Sequence, residues 1–366
     1  MGFGQSVESN LWFVRGGIAS PYILPTNPFA AAQAGAGEPI HWAPNVTVEI
    51  GRRTDGSSQW HELYGTPSYG VGFSFVPLPN SVENDRPLEA YTFFSWPFAR
   101  LTSRLQVTTD IGMGLSWRWK HMNEATDTYE NVLGSNLNAR INWGFYLRYL
   151  STPRVALYTG LDYTHRSNGG MVQPDFGINV IGPKVALQYN LGPESSTRHD
   201  VEPPPFQPAW EFVVGGLGGV KNVIEKSSPI VRGNFGAFAV TTAMQRHFYQ
   251  FGKVAGGIDL TYDGSTGTRM DEAGREWRAT AGERWALGLY GGYEHVICRF
   301  SVLAQVGDNL ARGFTSPNSS RLYTRYGWRY QANDRVWGTF AVRAHGFWKA
   351  NVLEFGVGYR IRRVRR

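Results

Sequence analysis

Two residues spaced two apart, His165 and Ser167, are of the types that acyl-transfer chemistry needs. A serine hydroxyl becomes a nucleophile when a base takes its proton, and histidine has the ordinary pKa suited to that task. On a strand, residues i and i+2 point to the same side with Cα atoms about 6.6–7 Å apart, so the two tips can meet. Asn168, Gly169 and Gly170 follow directly. A glycine-rich turn exposes backbone N–H groups and an asparagine amide adds a donor, so an oxyanion hole is available beside the pair. The chemistry that fits is acyl transfer from an ester to water. The plainer reading keeps its place: His-x-Ser is a common tripeptide, and either residue can simply anchor a strand end.

The elements that must hold these residues are strands. From 105 to 119 the odd positions are Leu105, Val107, Thr109, Ile111, Met113, Leu115, Trp117 and Trp119, while the even ones are polar or small, including Asp110, Gly112 and Gly114. The same alternation runs through 137–149, 322–331 and 353–361. Such runs exceed the ~5–6 residues of an ordinary globular strand. One face is large, apolar and aromatic; the other is glycine, serine, asparagine, arginine and aspartate. Lipid contact outside and a crowded lumen inside require that pairing. The expected fold is all-β, a transmembrane antiparallel up-and-down β-barrel of about 14–16 strands.

Candidate strands fall at 11–23, 42–53, 68–78, 89–100, 103–119, 136–150, 153–167 and 178–191. A second set falls at 209–221, 232–249, 252–262, 284–297, 299–308, 321–331, 335–345 and 351–362. The expected organisation is a first half at 1–192, a Pro-rich periplasmic connection at 193–208, and strands at 209–366 that complete one barrel. Two fused small barrels are the alternative. Short turns belong on the periplasmic side, although 53–66 is long there.

Parity then places the chemistry. Val155, Leu157, Leu161 and Tyr163 share a face with His165 and Ser167, opposite Tyr158, Asp162, Thr164 and Arg166. On the next strand Val185, Leu187, Tyr189 and Leu191 share a face with Asn179. A histidine, a serine and an asparagine therefore lie at the outer rim, toward lipid, where an unpaired polar group is costly. An ester held at the membrane surface is the matching substrate.

Composition agrees. The chain has 366 residues, 44 of them glycine, with 14% aromatic and only 18% charged residues. One cysteine, Cys298, excludes a disulfide framework and any Cys-based zinc cluster. No apolar run reaches the ~18 residues of a spanning helix. The opening MGFGQSVESNLWF has neither a basic nor an apolar signal region, so a signal peptide is not expected within this numbering. The net charge of +7 includes Arg360, Arg362, Arg363, Arg365 and Arg366, and no basic stripe elsewhere suits nucleic acid. His41, His61, His121, His199, His247 and His295 lack zinc spacing, and no cofactor is expected. Glu124, Asp127 and Glu130 could meet Ca²⁺ but read better as a solvated loop.

The segment HRSNGG with Gln173-Pro174 and Gly177-Ile178 resembles the active-site segment of the lipid A 3-O-deacylases, the outer-membrane acyloxyacyl hydrolases. GRRTDGSSQWHELYGTPSYGVGF at 51–73 and GSNLNARINWG at 134–144 are similar to that family too, and the resemblance spans about 40–192. It implies His165 as general base, Ser167 as nucleophile, and Asn168 with the Gly170 N–H as oxyanion donors. The family orients its histidine with a glutamate fourteen residues on; here that position is Asn179. An asparagine can hold an imidazole through its amide oxygen but cannot offset its charge. Asp175 is the nearest alternative acid.

The implied partner is lipid A, and the implied activity is hydrolysis of its 3-O-linked acyl chain in the bacterial outer membrane. Trp143, Phe145 and Tyr163 would line an acyl groove. The alternative is a non-enzymatic channel, transporter or lipid-binding barrel with a relict site. In the second half, His345 and Arg343 fall on the lumen face with Glu354, as a structural network and not a second site.

Overall fold

The computed structural model describes residues 10–26, 41–77, 86–119, 133–173, 175–194, 205–225, 231–266, 269–270, 276–277, 279–312, 321–347 and 349–365. They form two compact units, Met1–Asn168 with Phe176–Pro204, and Gly169–Asp175 with Pro205–Arg366.

The strands of the first unit are β1 (Trp12–Ala19), β2 (Tyr22–Ile23), β3 (Asn45–Arg53), β4 (Ser68–Phe75), β5 (Leu88–Arg100), β6 (Leu105–Trp117), β7 (Asn138–Thr152), β8 (Val155–Ser167) and β9 (Ile178–Asn190). Each pairs antiparallel with the next long strand, and β1 pairs with β9 to close a barrel. The second unit holds β10 (Ala209–Glu225), β11 (Val231–Tyr249), β12 (Gly252–Asp263), the small hairpin β13 (Arg269–Met270) and β14 (Glu276–Trp277), β15 (Trp285–Ile297), β16 (Phe300–Arg312), β17 (Leu322–Gln331), β18 (Val336–His345) and β19 (Lys349–Arg365). Here β10 pairs with β19, closing a second barrel of eight strands.

The expectation that 209–366 would complete one barrel is therefore corrected. The alternating runs are where they were expected, but each set of eight closes on itself. Alternation states that a strand has a lipid face and a lumen face, and this is equally true in either closure.

Outward positions of the first barrel are exposed and apolar, among them Val14, Ile18, Val48, Ile50, Phe73 and Leu161. Inward ones are buried and charged. Arg15 bonds Glu49 and Asp110, Glu89 bonds Arg140 and Arg166, and Asp162 accepts from the Tyr146 hydroxyl at 2.5 Å. The second barrel repeats the device: Arg325 bridges Asp259 at 2.9 Å and Glu354 at 2.6 Å, and Arg329 meets Glu294 at 2.6 Å. Glu354 is thus lumenal as expected, and so is Arg343, buried against the Tyr323 ring. An eight-stranded barrel leaves an interior just wide enough for side chains.

Two details depart from strict parity. Trp119 was expected on the lipid face with Trp117, yet it is buried. Arg118 adopts a left-handed φ of 67°, which ends the alternation and turns Trp119 inward, where its indole N–H donates to Ser116 Oγ at 2.7 Å. Trp119 joins Ile23, Ala43, Val76, Leu133, Ile178 and Val180 in an apolar plug. Aromatics also line the lumen: Tyr91 lies over Gly72, where an added Cβ would come within 2.5 Å of its ring. Some of the surplus glycine exists to seat such rings.

The connection between β3 and β4 carries a short helix, α1 (Gln59–Leu63), on the rim shared with the tight turns at 101–104 and 153–154. The opposite rim bears the connections after β2, β4, β6 and β8. Glu124, Asp127, Glu130, His121, His199 and most of the 193–208 connection lie outside the described residues.

Candidate active site

β8 ends in His165, Arg166 and Ser167, and β9 begins at Ile178. Their register sets His165 directly opposite Asn179, with Tyr163 opposite Ile181. Directly opposed residues on neighbouring strands bring their side chains together. His165 Nδ1 lies 2.7 Å from Asn179 Oδ1, and the Tyr163 hydroxyl donates to the same oxygen at 2.7 Å. All three occupy the outward parity of their strands, as the sequence pattern required. The inward neighbours fix them from behind: Arg166 is anchored on Glu89, and Ile178 and Val180 belong to the apolar plug.

A fourth side chain arrives from far away in the chain. The Asn179 amide nitrogen donates to Thr26 Oγ1 at 2.8 Å. The cause is strand register. Ala19 pairs with Lys184 and Tyr22 with Ile181, so β2 continues β1 along β9 without a slip. Between them the Ser20 N–H still donates to the Pro183 carbonyl at 3.3 Å, and only the return bond is missing, since Pro183 has no N–H to donate. Gly182 faces Pro21, and a Cβ there would collide with the proline backbone. The same register carries on to Leu24, whose N–H donates to the Asn179 carbonyl at 2.8 Å. Thr26 was not found by sequence reasoning, because no local pattern marks a residue 153 positions from its partner.

Ser167 and Asn168 are buried, at 7% and 6% exposure, although Ser167 continues the outward face. After them Gly169 and Gly170 take left-handed φ values of 69° and 83°, which favour glycine. The Gly170 N–H donates to the Asp175 carboxylate at 2.7 Å. In this conformation the Gly170 N–H is occupied, and Asp175 shapes the turn, while the amide oxygen of Asn179 holds Nδ1 of His165.

Gly177 also has a left-handed φ, 69°, and an added Cβ would stand 3.0 Å from His165 Cε1. It packs beneath the imidazole. Outside, Trp143 and Phe145 are exposed on β7 with ring centroids 5.1 Å apart, forming an aromatic strip on the lipid face. Met171, Val172 and Phe176 are exposed in the connection after β8. Among the described residues no group of three or more His, Cys, Asp or Glu could hold a metal ion.

Comparison with known proteins follows the same division of the chain. Residues 46–190 match the family model described as lipid A 3-O-deacylase (PagL). Residues 209–363 match that of the acyloxyacyl hydrolase C-terminal domain. No curated protein matches the chain. Among solved structures it is similar to the outer membrane enzyme PagL, with 17% identity and a TM-score of 0.30, over 48% of this chain and 98% of that one. It also overlaps a Rh. blastica porin variant at 9% identity and a TM-score of 0.19, over 96% and 99% of the two chains. Overlaps with such scores carry no weight for function. The two family models, one on each barrel, carry the assignment: the chain belongs to the lipid A 3-O-deacylase (acyloxyacyl hydrolase) family of outer-membrane β-barrel proteins.

Proposed function

We propose that this protein is a serine esterase that hydrolyses the 3-O-linked acyl chain of lipid A, with its site on the lipid face of the first barrel. The observation that carries this reading is the 2.7 Å contact of His165 Nδ1 with Asn179 Oδ1, outward on paired strands and two residues before Ser167. An amide oxygen only accepts, so Nδ1 bears the proton and Nε2 keeps its lone pair. Nε2 is then the atom that takes the Ser167 proton as Oγ attacks the ester carbonyl carbon.

The tetrahedral oxyanion draws on the Asn168 amide, and on the Gly170 N–H when Asp175 releases it. As the intermediate collapses, the imidazolium returns the proton to the departing sugar oxygen, leaving an acyl-serine. Water, deprotonated by the same imidazole, attacks that ester and frees the fatty acid and Ser167. Because Asn179 is uncharged, it orients the imidazole without compensating the imidazolium charge. The site lies on the rim with the longer connections, which in such barrels is the external side. An ester at that depth leaves the acyl chain beside the Trp143–Phe145 strip.

A pore is the weaker reading, since buried ion pairs cross both lumens. The test is lipid A mass spectrometry in cells carrying wild type, Ser167→Ala or His165→Ala. Wild type yields lipid A lighter by one acyl group, and each variant loses activity by roughly 10⁴-fold or more. Identical lipid A in all three would remove the esterase reading.

A further inference from the structure

Asparagine in an orienting position raises a problem that a carboxylate does not have. The two oxygens of a carboxylate are equivalent, whereas an amide has one accepting and one donating end. If the oxygen faces His165, Nδ1 is protonated and Nε2 can act as a base. If the nitrogen faces His165, the ring proton moves to Nε2 and the base is lost. The two orientations fill the same space, so packing alone does not choose between them.

Hydrogen bonding does choose. Asn179 Nδ2 donates to Thr26 Oγ1 at 2.8 Å, and the Thr26 hydroxyl directs its own proton to the Leu24 carbonyl at 3.5 Å. The threonine therefore offers the amide a lone pair. On the other side the Tyr163 hydroxyl donates to Oδ1 at 2.7 Å. Thr26 is brought there by the unbroken register of Tyr22, Ile23 and Leu24 along β9.

We propose that Thr26 is a positioning residue that fixes the Asn179 amide with its oxygen toward His165, and so sets the tautomer of the base. The proposal rests on the esterase reading for its kinetic consequence but not for its structural one.

The experiment is a double-mutant cycle on the full-length chain in lipid bilayers or detergent. Thr26→Val keeps the side-chain shape without the hydroxyl, and Thr26→Ser restores the hydroxyl. Each is made alone and with Asn179→Asp, whose two oxygens need no orientation. Lipid A deacylation gives kcat and KM. Imidazole ¹⁵N shifts, assigned to His165 by their loss in His165→Ala, give the tautomer without substrate.

Thr26→Val is expected to lower kcat roughly tenfold or more with KM nearly unchanged, and to move His165 from the Nδ1–H toward the Nε2–H tautomer. Thr26→Ser restores both. With Asn179→Asp the valine penalty shrinks to about threefold or less, a coupling expected only if the two side chains act together. An unchanged His165 tautomer in Thr26→Val overturns the proposal, as does an equal kcat loss in both backgrounds, which would make Thr26 a mere brace. If wild type and Ser167→Ala are equally inactive, the esterase reading fails, and the ¹⁵N shifts still decide the role of Thr26.

Discussion

At the scale of single residues, His165 and Ser167 were legible because strand parity is local: two positions apart means the same face. Asn179 was legible by the same count along the next run. Thr26 was not, since its meeting with Asn179 depends on which strand closes the barrel and in what register. Trp119 was misread for a different reason. One left-handed residue, Arg118, ends the alternation, and arginine carries no mark of that conformation. Gly177 offers a direct test of how tightly the imidazole is held. Gly177→Ala puts a methyl group 3.0 Å from His165 Cε1 and adds left-handed strain of about 1–2 kcal/mol. Deacylation should fall by roughly tenfold or more, while thermal unfolding shifts by only a few degrees. Full activity in that variant would show that the ring is not seated on Gly177.

At the scale of elements, the sixteen alternating runs appear as strands within a few residues of their expected limits. Hydrophobic periodicity is enough for that, because each strand faces lipid on one side. The helix α1 and the hairpin of β13 and β14 carry no such signal, as they are too short to show a period. The continuation of β1 into β2 depends on Gly182 leaving room for Pro21. Gly182→Val should therefore displace Pro21 and loosen the pairing of β2 with β9. Heat-modifiable mobility on gels and thermal melting should both report a less stable barrel, and deacylation should drop with the loss of the Leu24–Asn179 contact. An unaltered melting curve with normal activity would count against this account of the strand junction.

For the whole molecule, the closure into two barrels was beyond the reach of the pattern. Composition and alternation are the same for one barrel of sixteen strands and two of eight; only the long-range pairs of β1 with β9 and β10 with β19 distinguish them. The consequence for transport is concrete. Each lumen is crossed by ion pairs buried in the wall-to-wall packing of an eight-stranded barrel, and removing one partner of such a pair costs about 3–5 kcal/mol. In planar bilayers the purified protein should give no stepwise ionic conductance. Regular open steps would contradict filled lumens and favour the pore.

The pairing of the first and last strands of the hydrolase-like barrel has a temporal side. His165 and Asn179 lie on neighbouring strands of one hairpin, so they can meet while the chain is still open. Thr26 reaches Asn179 only when β1 and β2 dock along β9, the contact that joins the two ends of the sheet. If Ser167 and His165 act as proposed, a newly made chain in transit would carry both, yet lack the hydrogen bond proposed to orient His165. On the esterase proposal, activity would thus come of age at insertion, and the cell would be spared an active lipid esterase before it reaches the membrane it modifies.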